Sequence, residues 1–314
     1  MEQFLSDFFH YSFMDKKKLV SALRIQSRAL RSVRDSFTRH QFLELMPVIL
    51  STTTDPLGPD PGSSVIKTPT IDYLGQSLVL TQSMILHKQV LVSKGLSKFF
   101  IVSPNVRLEG EHRKKSGRHL FEFSQVDFEI AHAKMEDIFS LIEDVITTAI
   151  KDVKKDCEDD LKVWDRTLKT SGPFKKFTTM ELRDKYGSEW ESLASKELKD
   201  PFWTISHKRE FYDAEDESRP GFYRNYDLVY PEGFGEALSG AEREWKLDRI
   251  LMRIRRDGLS EASYEPYLKY ARRGFVPTAG AGFGVERLTR FLTGARHIKD
   301  IQAFPRVPGE RVVL

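Results

Sequence analysis

The chain has 314 residues, 40% hydrophobic, 30% charged and 11% aromatic, with a formal net charge of +3. That composition excludes fibrous and disordered classes, and so small a charge argues against a surface built to lie along nucleic acid. Cys157 is the single cysteine, which rules out an intrachain disulfide or a cysteine-rich zinc site and fits a reducing cytoplasm.

The start, MEQFLSDFFHYSF, lacks the basic region, long apolar stretch and cleavage site of a signal peptide. No apolar run approaches the roughly 20 residues that span a bilayer, so a cytoplasmic protein with no membrane contact is expected. Leu19, Leu23, Leu30 and Val33 predict a helix over 16–40, with Lys16, Lys17, Lys18, Arg24, Arg28, Arg31, Arg34 and Arg39 as a solvated face. FLELMPVIL (42–50) reads as a strand at an edge or interface, because Pro47 cannot donate a ladder bond. The Pro-, Gly- and Asp-rich stretch 52–64 is a loop. Residues 77–92 read as a short strand running into a helix, and 98–106 and 119–131 as strands around a charged loop, 109–118.

An amphipathic helix is predicted over 135–157, with Ile138, Leu141, Ile142, Val145, Ala149 and Ile150 on one face. Residues 158–220 are polar and weakly patterned, and read as an insertion or small subdomain within one domain spanning 1–314. Two strands with a turn at PEG follow over 225–240, then helices over 241–257 and 260–273. Residues 278–294 read as a Gly-rich strand leading into a helix that ends at Gly294. Hairpins followed by helices predict an α+β domain: an antiparallel sheet flanked by helices.

Alternate residues of a strand share a face, so Phe123, Gln125, Asp127 and Glu129 point one way and Ser124, Val126, Phe128 and Ile130 the other. The second set is a core face. The first has the makings of a polar ligand floor, although taken alone a solvated sheet face accounts for it slightly better. Arg107 and Glu109 repeat the spacing; a guanidinium beside a carboxylate is often only an ion pair, but it also grips phosphate bidentately. Gly280, Gly282 and Gly284 do not make a dinucleotide fingerprint, which needs a further glycine where Val285 or Arg287 stands. No P-loop sequence occurs either. What remains is backbone open to close approach, followed by Glu286 and Arg287 at a helix start.

VRLE (106–109), RHLFEFSQVDFE (118–129) and GAGFGVERL (280–288) resemble motifs two and three of class II aminoacyl-tRNA synthetases, and FLELMPVIL resembles motif one. QSMILHKQ (82–89), GEALSGAERE (235–244) and IQAFPR (301–306) resemble the aspartyl and asparaginyl branch. The resemblance implies an ATP site with magnesium. Arg107 would meet the α-phosphate and the reacting carboxylate, with Glu109 beside it; His119 would lie near the distal phosphates. Leu120 would meet adenine through its backbone, Phe123 would stack on the ring, and Gly284 and Arg287 would cover its other face. Glu236 and Asp227 would hold magnesium, leaving Arg107, Arg287 and Glu236 as the catalytic set. Ser83, Gln125, Asp127, Ser239 and Gly240 would line the amino-acid site, with Lys88 and Arg243 on the carboxylate that does not react.

Aspartyl enzymes carry lysine at the place of Lys88 and asparaginyl enzymes glutamate, so the resemblance implies aspartate; a buried Lys and Arg pair would desolvate badly around a neutral amide, and an anionic side chain satisfies it. Ile85 stands where glutamine is usual, and Asp227 and Glu236 are two residues further apart than in those enzymes. No counterpart of the N-terminal anticodon-binding barrel precedes motif one, so no tRNA is expected. TDPLGPDP (54–61), LTQSMILHKQ (80–89), REFYD (209–213) and RNYDLVYPEGFGE (224–236) are most similar to the archaeal-type asparagine synthetases related to asparaginyl-tRNA synthetase. That implies aspartate + ATP + ammonia → asparagine + AMP + pyrophosphate through a β-aspartyl adenylate. The alternatives are a synthetase paralogue passing the activated amino acid to a protein or RNA acceptor, and a catalytically dead regulatory core. The resemblance also implies a homodimer through residues 16–50.

Overall fold

A computed structural model describes residues 13–57, 64–169 and 172–312. The aromatic-rich start over 1–12 and residues 58–63 of the Pro/Gly-rich loop lie outside the described residues. In chain order the elements are α1 (Phe13–Arg39), β1 (Leu43–Leu45), β2 (Leu50–Ser51), β3 (Val65–Lys67), β4 (Thr70–Tyr73), β5 (Gln76–Leu80), α2 (Ile85–Ser93), β6 (Lys98–Val106), β7 (Leu108–Glu109) and β8 (Glu122–Ala131). There follow α3 (Met135–Asp156), α4 (Glu158–Val163), β9 (Lys175–Thr178), α5 (Thr179–Tyr186), α6 (Trp190–Glu197), β10 (Phe202–Ile205), β11 (Asn225–Tyr230) and β12 (Gly235–Glu242). The chain closes with α7 (Leu247–Arg256), α8 (Glu265–Ala271), β13 (Thr278–Gly284) and α9 (Val285–Thr293).

Eight strands form one sheet in the order β1-β6-β8-β13-β12-β11-β10-β9. Its interior is antiparallel, as the sequence predicts, but β1 runs parallel to β6 and β9 parallel to β10, so the sheet is mixed at both edges. Pro47 breaks the predicted strand over 42–50 into β1 and β2, which join different sheets. The polar segment 158–220 contributes β9 and β10 to the main sheet and packs α5 and α6 over its end. Residues 241 and 242 finish β12, so the predicted helix over 241–257 begins only at Leu247.

One face of the sheet is apolar and covered by α1, α3 and α9. Val33 and Phe37 of α1, Ile138 and Ile142 of α3 and Leu288 and Leu292 of α9 bury against Val126, Phe128, Ala281 and Phe283. Phe128 is fully buried among them, and its truncation to alanine would cost about 3–5 kcal/mol. The basic face of α1 is not simply solvated. Arg28 pairs with Asp152 (3.0 Å) and Asp156 (2.6 Å), Arg24 with Asp160 (3.6 Å), and Ser32 donates to Asp152, so α3 and α4 take up much of its charge. No helix among the described residues is long and apolar enough to cross a membrane. The opposite face of β8, β13 and β12 carries polar side chains and opens into a cleft.

Candidate active site

The floor of the cleft follows from two adjacent strands. On β8, Phe123, Gln125 and Asp127 face the cleft while Val126 and Phe128 enter the core. On β13, Gly284 pairs with Gln125, Gly282 with Asp127 and Gly280 with Glu129. A Cβ on Gly282 would collide with the Gln125 amide and the Asp127 carboxylate, and one on Gly280 with the Glu129 carboxylate. The glycine run therefore exists because the side chains of the neighbouring strand lie across it.

At one end, Lys88 of α2 is buried. Its ammonium donates to Asp127 Oδ1 (2.9 Å), Phe128 O (3.3 Å) and Ala281 O (3.1 Å), with Glu129 3.6 Å away. Arg243 donates to Glu129 Oε1 (3.2 Å), Asp213 Oδ1 (3.1 Å) and Gly280 O (3.1 Å). Burial pushes the Asp213 carboxyl upward, and Arg243 only partly offsets it. The two cations are thus compensated within the protein, contrary to the picture of bare charges awaiting a substrate. Ser83 stands at the start of α2, its hydroxyl accepting from Ile85 N at 3.2 Å.

At the other end, Arg107 lies over the Phe123 ring at 5.2 Å and donates from Nε to Gln82 O at 3.0 Å. Glu109 is not its partner; it accepts from Ser64 N at 2.9 Å and sits 3.8 Å from Arg113. Arg287, on the first turn of α9 just after Gly284, pairs with Glu236 at 3.1 Å. Burial pushes the Glu236 carboxyl up, but Arg287, Arg118, Arg209 and Arg107 together hold it well below the usual range. Burial and then the charges of Arg287, Arg118 and Arg113 push His119 down to about 2, so its imidazole is neutral; Ser116 lies 2.5 Å from Nδ1. Leu120 is buried beside it.

That depression carries a sign. A histidine kept neutral in the fold binds fewer protons than the unfolded chain below pH 6.5, so it withdraws stability as pH falls, at about 1.4 kcal/mol per pH unit. Between pH 6.5 and 4.5, urea unfolding of the wild type should lose stability more steeply than that of His119→Gln, by about one proton. Parallel pH profiles would refute this.

Asp227 of β11, with Ser239 and Glu236 of β12, makes the wall. A register shift between Leu228 and Val229 lets Val229 pair with Glu236 and Asp227 with Ser239, so Glu236 and Ser239 share a face with Asp227 despite the longer spacing. The two acids differ as candidates for magnesium. Glu236 is an ionised carboxylate at the Arg107–Arg287 end; Arg287 pairs with its Oε1 at 3.1 Å, and it fits so far as its other oxygen is offered to an ion. Asp227 accepts from Arg209 and lies 3.3 Å from His207 Nε2, so it does not. Among the described residues no group of three or more His, Cys, Asp or Glu side chains stands arranged for a metal, so an ion there would depend on ligand oxygens.

One cleft gathers Ser83, Lys88, Arg107, Glu109, His119, Leu120, Phe123, Gln125, Asp127, Asp227, Glu236, Ser239, Gly240, Arg243, Gly284 and Arg287, whereas Glu129, which the strand period also put on the ligand floor, is fully buried against Arg243 and Lys88. Sequence reasoning missed Arg118, Glu191, His207, Arg209 and Asp213 as cleft residues. Apart from Arg118 they come from segments with no periodic pattern.

The profile of class II tRNA synthetases for D, K and N matches residues 6–308. The chain belongs to that family. Among relatives, asparagine–tRNA ligase of Thermoplasma acidophilum is 27% identical over 326 residues, covering 97% of this chain and 73% of its own. Aspartate–tRNA(Asp/Asn) ligase of Methanothermobacter thermautotrophicus is 32% identical over 314 residues, covering 94% and 69%. The asparaginyl-tRNA synthetase of Pyrococcus horikoshii, solved with asparaginyl-adenylate, superposes with a TM-score of 0.84 at 25% identity, over 96% of this synthetase core and 73% of that chain. These findings bear out the α+β class II fold and a ligase-type core. They overturn the expectation that excluded tRNA: the relatives that match nearly the whole chain are named tRNA ligases.

Proposed function

We propose that this chain is an ATP-dependent ligase that activates aspartate as an aspartyl adenylate and passes the aspartyl group to an acceptor on RNA or protein. The observation that carries this reading is the polarity of the cleft: Arg107, Arg287 and Phe123 at one end, Lys88, Arg243 and Gln125 at the other. A nucleotide would lie with adenine against Phe123 and its phosphates between Arg107 and Arg287. The carboxylate that reacts would approach Arg107 and attack the α-phosphate in line, helped by positioning and by charge already in place. Magnesium, when bound, would neutralise phosphate charge, and Glu236 is the residue that would hold it. Lys88 and Arg243 carry only donors, which suits an acceptor-only carboxylate better than the NH2 of an amide, provided that the substrate displaces part of their pairing with Asp127, Glu129 and Asp213.

Ammonia as the acceptor, giving asparagine, is a second reading with one observation in its favour. The REFYD segment, which carries the closer match to stand-alone asparagine synthetases, lines the cleft through Arg209, Glu210, Tyr212 and Asp213. One experiment separates the readings. Aspartate-dependent exchange between ATP and pyrophosphate is expected, with asparagine as the comparison substrate. The aspartate-loaded protein is then offered tRNA or ammonium, and aspartyl-tRNA or asparagine is sought by mass. Exchange with neither amino acid would sink the ligase reading; asparagine from ammonium alone would select the second.

We also propose assembly as a homodimer through α1 to β2. Leu43, Met46, Ile49 and Leu50 are between 41% and 88% exposed, a run of apolar surface that a two-fold partner would cover. Light scattering should report a dimer, and Met46→Asp with Ile49→Asp should shift it to monomer. A wild-type monomer at micromolar concentration would refute the assembly.

A further inference from the structure

Arg209 lies in the loop 206–213 after β10, and its guanidinium reaches across the cleft wall. Nη1 donates to Ser239 Oγ and Nη2 to Asp227 Oδ2. His207 Nε2 sits 3.3 Å from the same Asp227 oxygen. The loop is fixed from beneath by buried Asn225: His207 N donates to Asn225 Oδ1 (2.7 Å), and Asn225 Nδ2 donates to His207 O (2.9 Å) and Asp213 Oδ2 (2.9 Å). Arg209 is therefore held in place by the fold. It is not a surface side chain that happens to touch an acid.

We infer that Arg209 is a resident cation on the Asp227–Ser239 face, standing where a metal ion would otherwise sit, so that Asp227 is not a metal ligand in this protein. The inference rests on the ATP-dependent ligase reading for its place in the reaction, though the contact itself does not. A magnesium ion takes carboxylate and hydroxyl oxygens directly, and the planar guanidinium fork already spans one of each. A metal bridging Asp227 Oδ2 and Ser239 Oγ would have to displace Arg209 from both atoms and leave an enclosed guanidinium without its carboxylate, which is unfavourable. The fixed arginine supplies the same sign of charge beside the phosphate end, preorganised and independent of metal concentration.

The test counts manganese, read by electron paramagnetic resonance, with and without a non-hydrolysable ATP analogue. Asp227→Asn is expected to bind as many manganese ions as the wild type, Glu236→Gln to lose one that depends on the nucleotide, and Arg209→Ala to gain one per chain. Arg209→Lys, which keeps a charge, should not gain it and guards against a folding defect in the alanine variant. Loss of one ion in Asp227→Asn, or no gain in a folded Arg209→Ala, would overturn the inference. Failure of the ligase reading shows separately, as no binding of the analogue to the wild type; with manganese alone the decision then falls on whether Arg209→Ala gains an ion that Arg209→Lys lacks.

Discussion

Arg107→Ala and Arg287→Ala are each expected to slow aspartate-dependent ATP–pyrophosphate exchange by about 10²–10³-fold, the usual loss on removing one preorganised charge from a transition state. The fall should appear in kcat well beyond any rise in the aspartate KM. The two variants should differ in pH dependence. Arg287 is the foremost of the charges holding the Glu236 carboxyl down, and Arg107 the last of those named. Without Arg287, Glu236 titrates at higher pH, so the residual rate of Arg287→Ala should fall further on acidification than that of Arg107→Ala. Near wild-type turnover in both variants would place the ATP site elsewhere.

Lys88→Ala is expected to do more than remove a substrate contact. It would take from buried Asp127 and Glu129 the ammonium that faces them at 2.9 and 3.6 Å, leaving Asp127 with Ser103 and Glu129 with Arg243 and Thr278. Breaking a buried pair by deleting one partner costs about 3–5 kcal/mol. For a domain of this size that corresponds to a drop in Tm on the order of 10 °C. Lys88→Glu should be worse, adding a third carboxylate, and should abolish aspartate activation. Calorimetry and denaturant unfolding would read the stability, and exchange at low temperature the activity. An unchanged Tm in Lys88→Ala would show that the network contributes little to stability.

Much of this site was legible because its signals are local. The alternation through Phe123, Gln125 and Asp127 needs only the period of a strand, and the glycines of β13 answer the side chains they cross. Other features were not legible, because they depend on distant parts of the chain. Lys88 and Arg243 looked like bare cations until the fold brought Glu129 and Asp213 to them. Arg209 and His207 sit in a polar stretch with no periodicity, and only the pairing of β10 with β11 carries them to Asp227. Pro47 signalled an interruption, but not that the pieces on either side would join separate sheets. The partners of Arg24 and Arg28 had no visible signal, since their acids lie more than a hundred residues away on α3 and α4, whereas Arg34 finds Glu44 close by in the chain.

β8 gives its residues by turns to the apolar core and to the cleft, with nothing between the two. Side chains on a strand repeat every second residue, so a shift of one position exchanges the faces outright. Unless a bulge like the one between Leu228 and Val229 absorbed it, inserting or deleting a single residue within 123–128 would turn the residues on one side of the change to the opposite face, Gln125 or Asp127 towards the hydrocarbon layer and Val126 or Phe128 towards the cleft. A change in the length of this strand therefore has to come together with a bulge, whereas a substitution is felt only on the face it meets.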